Sequence, residues 1–294
     1  MTIEPEQSTT FPNARKTHWL SKDFLIFGLG FWLALFWVVT ILVLALSTFV
    51  FEWPSPLKQN YSAITAGPGV DYLLGTDHLG RDLLSRVIHG ARVSFSVAFS
   101  SPLIGMSIGL ILGMSAAYFG KWVDTVVGVL IDSILAFPNI VLAIAVLFFA
   151  GATLPNMIAV IAFYTIPQFT RIARANTLLY VNREFVIAAR AQGAGHLHIL
   201  LRELLPNVLI PVAAYSLLIM SYTIVLEGTL SFLGAGLPPP TPTWGRMIAE
   251  GIDELADHPQ IAFLPSAFMF LTILSLNMMG DRLRQLTDIK SGNS

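Results

Sequence analysis

Cysteine is absent from the 294 residues, which excludes a disulfide framework, a thiolate metal site and a cysteine nucleophile at once. Charge is scarce as well: Asp, Glu, Lys and Arg make up 12% of the chain against 54% hydrophobic residues, and the mean hydropathy is +0.69. That balance excludes a soluble surface and makes the chain an integral membrane protein. The net charge of −1 says little as a sum, because the two faces of a membrane protein meet different compartments. Also missing are a G-x-x-x-x-G-K-[ST] phosphate loop, H-E-x-x-H, G-x-S-x-G and paired carboxylates at helical spacing within the apolar runs, so the chain is not expected to be an enzyme or to hydrolyse ATP itself. His78, His89 and His258 are far apart in sequence, and His196 and His198, two apart, point to different faces of a helix, so no metal site is expected.

What is abundant is apolar sequence. Residues 24–51 carry no charge, and at about 1.5 Å per residue they make roughly 42 Å of helix, more than the ~30 Å hydrocarbon core. Basic residues Arg15, Lys16 and Lys22 precede this run, but it is far longer than the h-region of a signal peptide, about 7–15 residues, and reads as an uncleaved first span. Residues 93–120 form a second span, rich in small residues (Gly105, Ser107, Gly109, Gly113) that suit close helix packing in lipid. A long uncharged run, 133–170, is too long for one crossing, and the turn chemistry of GATLPN (151–156) divides it into spans of about 123–150 and 156–176. Spans at 204–226 and 259–280 complete six, which puts both termini on one side. Most of the 17 basic residues then fall on the side of the termini, so both termini are expected in the cytoplasm. The expected division is a tail at 1–22, a first helix at 23–51, an outer segment at 52–92, a permeation core at 93–282 with an outer loop at 233–260, and a tail at 283–294.

Three connections are large enough to act. In the outer segment, GTDHLGRDLLSRVIHGAR places Thr76 or Asp77 as a helix cap. Asp77/Arg81 and Asp82/Arg86 form i,i+4 pairs beside an apolar stripe of Leu83, Leu84, Val87 and Ile88. This reads as an amphipathic helix lying at the outer interface and running into span two, a solvated cap that orients that span. In 233–260, prolines exclude regular helix up to Pro242, while Met247, Ile248, Ile252 and Leu255 can share one face of a short helix, and the acids Glu250 to Asp257 read as a solvated face. On the cytoplasmic side, EFVIAARAQGAG (184–195) predicts a helix of about three turns over 183–195, with Asn182 as N-cap, Glu184 in its first turn, and Phe185, Ile187, Ala188, Ala191 and Ala194 on neighbouring positions before Gly193 and Gly195 end it. Periodicity alone does not choose between a helix resting on lipid and one that fits a partner's groove.

Two acids fall in or near spans, where an ionised carboxylate is costly and lines a cavity or pairs. Asp132 lies about ten residues into span three, and Glu227 near the outer end of span five, where Gly228 and Ser231 suggest that the span is ending. Both are candidates for a translocation path. Pro138, Pro155, Pro167, Pro206 and Pro211 add helix breaks of the sort transport proteins use. A membrane enzyme would need a catalytic cluster where only isolated Asp132 and Glu227 stand, and a passive channel would not need a glycine-ended cytoplasmic helix between two spans.

In these residues the chain resembles the permease subunits of bacterial ABC importers, within them the oligopeptide/dipeptide/nickel branch. The cytoplasmic signature of that family, E-A-A-x(3)-G-x(9)-I-x-L-P, falls on Ile187, Ala188, Ala189, Gly193, Glu203, Leu205 and Pro206; the leading Glu and the Ile are replaced. Gly75-Thr76-Asp77, Gly80-Arg81-Asp82 and Ser85-Arg86 look like the branch's G-T-D-x-x-G-R-D-x-x-S-R. Leu230 to Gly234 followed by Trp244-Gly245 resembles its outer loop, and Asn277, Gly280-Asp281, Leu283 and Arg284 its C-terminal end, with Gln285 and Ile289 departing from it. The resemblance implies an all-α type I importer permease that moves di- or oligopeptides, or by the same machinery nickel or haem. It implies a second homologous permease, two cytoplasmic ATPase subunits that carry ATP and Mg, an extracytoplasmic substrate-binding protein, no cofactor in this chain and no nucleic acid. The 184–195 segment is then the coupling helix, with Glu184, Ile187, Ala188, Ala189, Arg190, Gly193, Leu205 and Pro206 the expected ATPase-coupling residues. Asp77, Arg81, Asp82, Arg86, Trp244 and Gly245 are the expected outer motif residues.

Overall fold

In the computed structural model of the chain, residues 19–292 are described, with side chains for 27–286; most of the expected 1–22 tail lies outside the described residues. Their regular structure is helical: α1 (Trp19–Ser47), α2 (Leu83–Phe119), α3 (Lys121–Leu135), α4 (Asn139–Ala150), α5 (Leu154–Tyr180), α6 (Glu184–Ala191), α7 (His196–His198), α8 (Leu205–Phe232), α9 (Trp244–Gly251) and α10 (Gln260–Gly292). A π-helical turn at Ile199–Leu204 joins α7 to α8, and the one isolated β-bridge pairs Thr76 with Asp82.

Four helices are long and apolar enough to cross a membrane: Phe27–Ser47, Leu83–Phe119, His196–Phe232 and Gln260–Leu286. The predicted third span is not straight. It breaks into α3 and α4, bent by 78°, because Pro138 cannot donate to the ladder and starts α4 from an extended conformation. Counted as one, that pair makes a fifth crossing. The 27-residue α5, roughly 40 Å long by its rise, falls short on apolarity, since Tyr164, Thr165, Gln168, Thr170, Arg171 and Arg174 interrupt it. The outer amphipathic helix and span two form one unbroken helix, α2, and α10 runs through the expected 283–294 tail as far as Gly292.

Each face follows from spacing. In α1, Ala34, Val38, Ile41 and Ala45 recur at helical intervals and are buried, while Leu29, Leu33, Phe36 and Val43 on the other side stay exposed, as a lipid-facing surface requires. The buried stripe packs on α10 through Leu276 and Met279, and Trp37 donates its indole N–H to Thr272 Oγ1 at 3.1 Å.

The most extensive contact joins α2 and α5. Gly105, Gly109 and Gly113 stand one turn apart along α2, each facing α5 so closely that no side chain fits: a Cβ on Gly109 would lie 2.5 Å from Phe169 Cβ and 2.9 Å from the Thr170 nitrogen. Near the buried Pro102, Ser101 Oγ donates to the Ile158 carbonyl at 3.1 Å and Thr165 Oγ1 to the Ser101 carbonyl at 3.4 Å. Small residues and hydroxyls are the means available, because lipid tails are as apolar as leucine and give helices no hydrophobic reason to associate.

Gly109→Val is expected to lower stability by about 3 kcal/mol or more, at the upper end of overpacking costs, because both nearest neighbours belong to a helix backbone or its Cβ. Thermal unfolding of the detergent-purified protein measures it, and an unchanged Tm would show that α5 can move away.

Candidate functional site

At the end of the bundle that carries α9, the outer motifs build one charged cluster. The chain from Asn60 to Asp82 folds back on itself: Thr76 N–H donates to the Ala66 carbonyl, Thr65 N–H to the Asp77 carbonyl and Asp77 N–H to the Arg81 carbonyl. Gly80 sits at φ 70°, and a side chain there would strike the Asn60 carbonyl, which is why this turn takes glycine. Within the loop, Asp77 accepts from the Leu79 and Arg81 N–H groups, each at 2.9 Å, and its Oδ2 pairs with Arg81 Nε at 2.6 Å and Arg86 Nε at 3.3 Å. Glu250 of α9 closes the cluster: its Oε2 accepts from Arg81 Nη2 at 3.0 Å and Arg86 Nη2 at 2.9 Å, and its Oε1 from Arg246 Nε at 2.8 Å.

This arrangement corrects the sequence expectation in three ways. The helix cap is Asp82, which accepts from Leu84 and Ser85 N–H groups, not Thr76 or Asp77. Burial pushes the Asp82 carboxyl up, against the lowering effect of those two N–H groups. Asp77 and Arg81 pair across a turn and not along a helix, and Arg86 turns to Asp77 and Glu250 and not to Asp82. The cluster is not solvated: Asp77, Arg81 and Arg86 are all buried, and Glu250 belongs to it, whereas Asp253 and Asp257 are exposed as expected. Asp77, His78 and Glu250 have ligand atoms within 4.8 Å of one another, but the three guanidinium groups already exceed the charge of the two carboxylates, so a cation finds no net attraction there.

Trp244 and Gly245 lock this end to the bundle. The buried Trp244 donates its indole N–H to the Val87 carbonyl of α2 at 3.0 Å and meets Phe95 edge-on. A Cβ on Gly245 would lie 2.5 Å from Gly228 Cα, so α9 rests directly on the α8 backbone. Glu227 is one residue away and does not mark the end of the span, for α8 continues to Phe232. It is 1% exposed and accepts from Ser94 Oγ at 3.2 Å and Ser231 Oγ at 2.7 Å.

At the opposite end, α6 is shorter than the predicted 183–195: it runs over Glu184–Ala191, with Arg183 and not Asn182 at the N-cap position and no side-chain cap. Gly193 (φ 83°) turns the chain out of it. Of the residues placed on neighbouring positions by spacing, Phe185, Ile187, Ala188 and Ala191 are exposed and Ala194 is partly buried. Val186, which the sequence does not single out, is fully buried, with Ala189 and Ala194 packed beside the same cluster as Ile199, Leu204 and Val208. Phe185, Ile187 and Ala188 are exposed with Glu184 and Arg190, and so, after the turn at Gly193, are Leu197 and Leu201; Ile187 is 55% and Leu197 68% exposed. Tyr118, near the end of α2, holds the segment: its hydroxyl meets His196 Nδ1 at 2.9 Å and the Arg190 guanidinium lies 5.3 Å from its ring centre. Leu205 is half-buried and Pro206 exposed at the start of α8.

Asp132 and Glu227 have different partners: Asp132 pairs with one the sequence did not suggest, Arg171 of α5, at 2.7 Å. Beside them Asp124 and Arg174 pair through both oxygens, at 2.5 and 2.6 Å.

Comparison with known proteins was made against this geometry. Residues 107–290 match the family model described as binding-protein-dependent transport system inner membrane component. A glutathione transport system permease protein, GsiD, of Pectobacterium atrosepticum is 37% identical over 231 residues, covering 79% of this chain and 77% of its own. Its Escherichia coli counterpart is 36% identical over 257 residues, covering 87% and 85%. Among solved structures, inward-facing conformations of the MetNI methionine ABC transporter superpose with TM-scores of 0.56 and 0.53 at 18% and 17% identity, over 69% and 70% of this chain and 96% and 95% of theirs. The fold is therefore that of a type I ABC importer permease.

Removing Arg86 leaves the buried Asp77 and the partly buried Glu250 short of a cation. Arg86→Met is expected to cost about 3 kcal/mol, whereas Arg246→Met, at a more exposed i,i+4 pair, costs under ~1 kcal/mol. Parallel thermal melts decide it; equal losses would mean that the cluster behaves as a surface pair throughout.

Proposed function

The chain belongs to the family of binding-protein-dependent transport system inner membrane components, and on that premise we propose that it is one of two homologous permeases of an importer for peptides or a closely similar solute. Glutathione is itself a small peptide, and the relatives named for its transport favour a peptide over nickel or haem. Counting the bent α3–α4 pair and α5 as crossings gives six, with both termini and α6 in the cytoplasm, the charged α9 end outside, and the membrane the bacterial cytoplasmic (inner) membrane.

The observation that carries the reading is the α6 surface. A short helix between two long ones buries one side chain fully, Val186, and leaves Phe185, Ile187 and Ala188 exposed, as Leu197 and Leu201 are after it. Apolar groups held this way suit the groove of a protein partner, here one of two ATPases that bind ATP and Mg. With Ile187 where the family pattern has an acid, the contact rests on packing more than on charge. Closure of the ATPases shifts α6, and because α5 and α8 flank it, their rocking opens the path to each side in turn. An extracytoplasmic binding protein delivers the solute to the α9 end.

Ile187→Asp and Ala188→Trp alter groups that face out of the fold, so insertion is expected to be normal while glutathione uptake falls about ten-fold, the effect of losing roughly 1.4 kcal/mol of contact, and the ATPases no longer copurify. Full uptake with intact copurification would remove α6 from the coupling role. The absence of cysteine makes orientation testable on its own. Val70→Cys is expected to react with an impermeant maleimide on intact cells and Leu197→Cys only after permeabilisation; the reverse pattern would invert the topology.

A further inference from the structure

Two aspartate–arginine pairs bridge α3 and α5, and they differ in kind. Asp124 and Arg174 form a two-bond fork, both oxygens engaged, with the side chains 32% and 42% exposed. Asp132 and Arg171 touch through one contact, Arg171 Nη2 to Asp132 Oδ1, with the side chains 70% and 61% exposed. Asp132 Oδ2 and Arg171 Nε and Nη1 have no further partner among the described residues. The first pair is closed on itself. The second is open, holding a free acceptor and free donors side by side.

Position makes that openness consequential. Arg171 stands nine residues before Tyr180, roughly 14 Å inside that end of α5 at the helical rise, and Asp132 lies one turn before the break that separates α3 from α4. Exposed charges on the helices of a membrane protein do not face hydrocarbon; they face water, a water-filled cavity or another protein. A cleft of about 300 Å³ adjoins them, floored by Val127, Gly128 and Ile131 and edged by Thr170. It is large enough for the polar end of a small solute and apolar enough at its base to strengthen charge recognition at its rim.

We propose that this cleft is a substrate-reading point of the permease, where Asp132 takes the ammonium group and Arg171 the carboxylate of a zwitterionic peptide-like solute. The inference rests on the importer reading above and adds to it a site in this chain that selects by charge. Opposite charges held a bond length apart suit a solute with both, since each end gains a charge-assisted hydrogen bond while the pair stays neutral when the site is empty. Asp124–Arg174, one turn away, fixes the separation of α3 and α5 and is a positioning pair.

The test uses the assembled transporter in vesicles with radiolabelled glutathione as the probe. Asp132→Asn and Arg171→Gln are expected to raise KM about ten-fold or more, as loss of a charge-assisted bond does, while the maximal rate stays near that of the unaltered transporter. Arg171→Lys, which keeps the charge, is expected to recover part of the loss. The double variant Asp132→Arg/Arg171→Asp restores an ion pair with its ends exchanged and is expected to keep a raised KM. Recovery of the original KM in that exchange, or unchanged KM in the single variants, overturns the proposal and makes the pair a structural contact, facing the second permease or water. If the unaltered transporter takes up neither glutathione nor a dipeptide, the importer reading itself fails, and with it the inference.

Discussion

The α2–α5 contact sets the geometry on which the rest depends. Glycine at 105, 109 and 113 brings two helix backbones together, and hydroxyl bonds at Ser101 and Thr165 fix their register. In a bilayer such contact replaces the hydrophobic effect, so its strength comes from closeness alone. One side of α5 is committed to this seam. Its other side carries Arg171 and Arg174 toward α3, and its end delivers the chain to α6. A change of one methyl group in the seam would therefore be felt both at α3 and at α6, whose buried residues share clusters with α2 and α5.

Electrostatics is used in two regimes at the two levels of the molecule. Near α9, Asp77, Arg81 and Arg86 are packed out of water with Glu250 and Arg246 at their edge, and their worth lies in completeness: each carboxylate oxygen has a guanidinium or backbone N–H facing it, so the loop 60–82, α2 and α9 are held as one body. Between α3 and α5 the same residue types are left half in the open. Burial turns an ion pair into a structural commitment that is costly to break, and exposure leaves it available to exchange partners.

How much of this the sequence could tell depended on range. Spans at α1, α2, α8 and α10 were legible because long uncharged runs leave one physical solution. The bend at Pro138 was not, since the uncharged run continues through it and hydropathy does not register direction. Local spacing misassigned Asp77 with Arg81 and Asp82 with Arg86 to helix pairs; the partner that decides them, Glu250, is more than 160 residues away in sequence. The two motifs were visible separately, around 75–86 and at 244–245, without any sign that they meet. In 184–191 every apolar residue is a candidate for the inner face, and only the position of α8 and the turn at 199–204 selects Val186.

The length of α2 has one more consequence. Its 37 residues, about 55 Å of helix, reach from the charged cluster, where Val87 accepts from Trp244, to Tyr118 against His196. A single rod thus has a fixed point near each of its ends. Thermodynamic linkage then applies to the two surfaces it joins: if a ligand at one end favours one setting of the rod by some factor, a ligand at the other end that favours the same setting must tighten the first by that same factor. Two such ligands report on each other in equal measure and in both directions, without any residue in common.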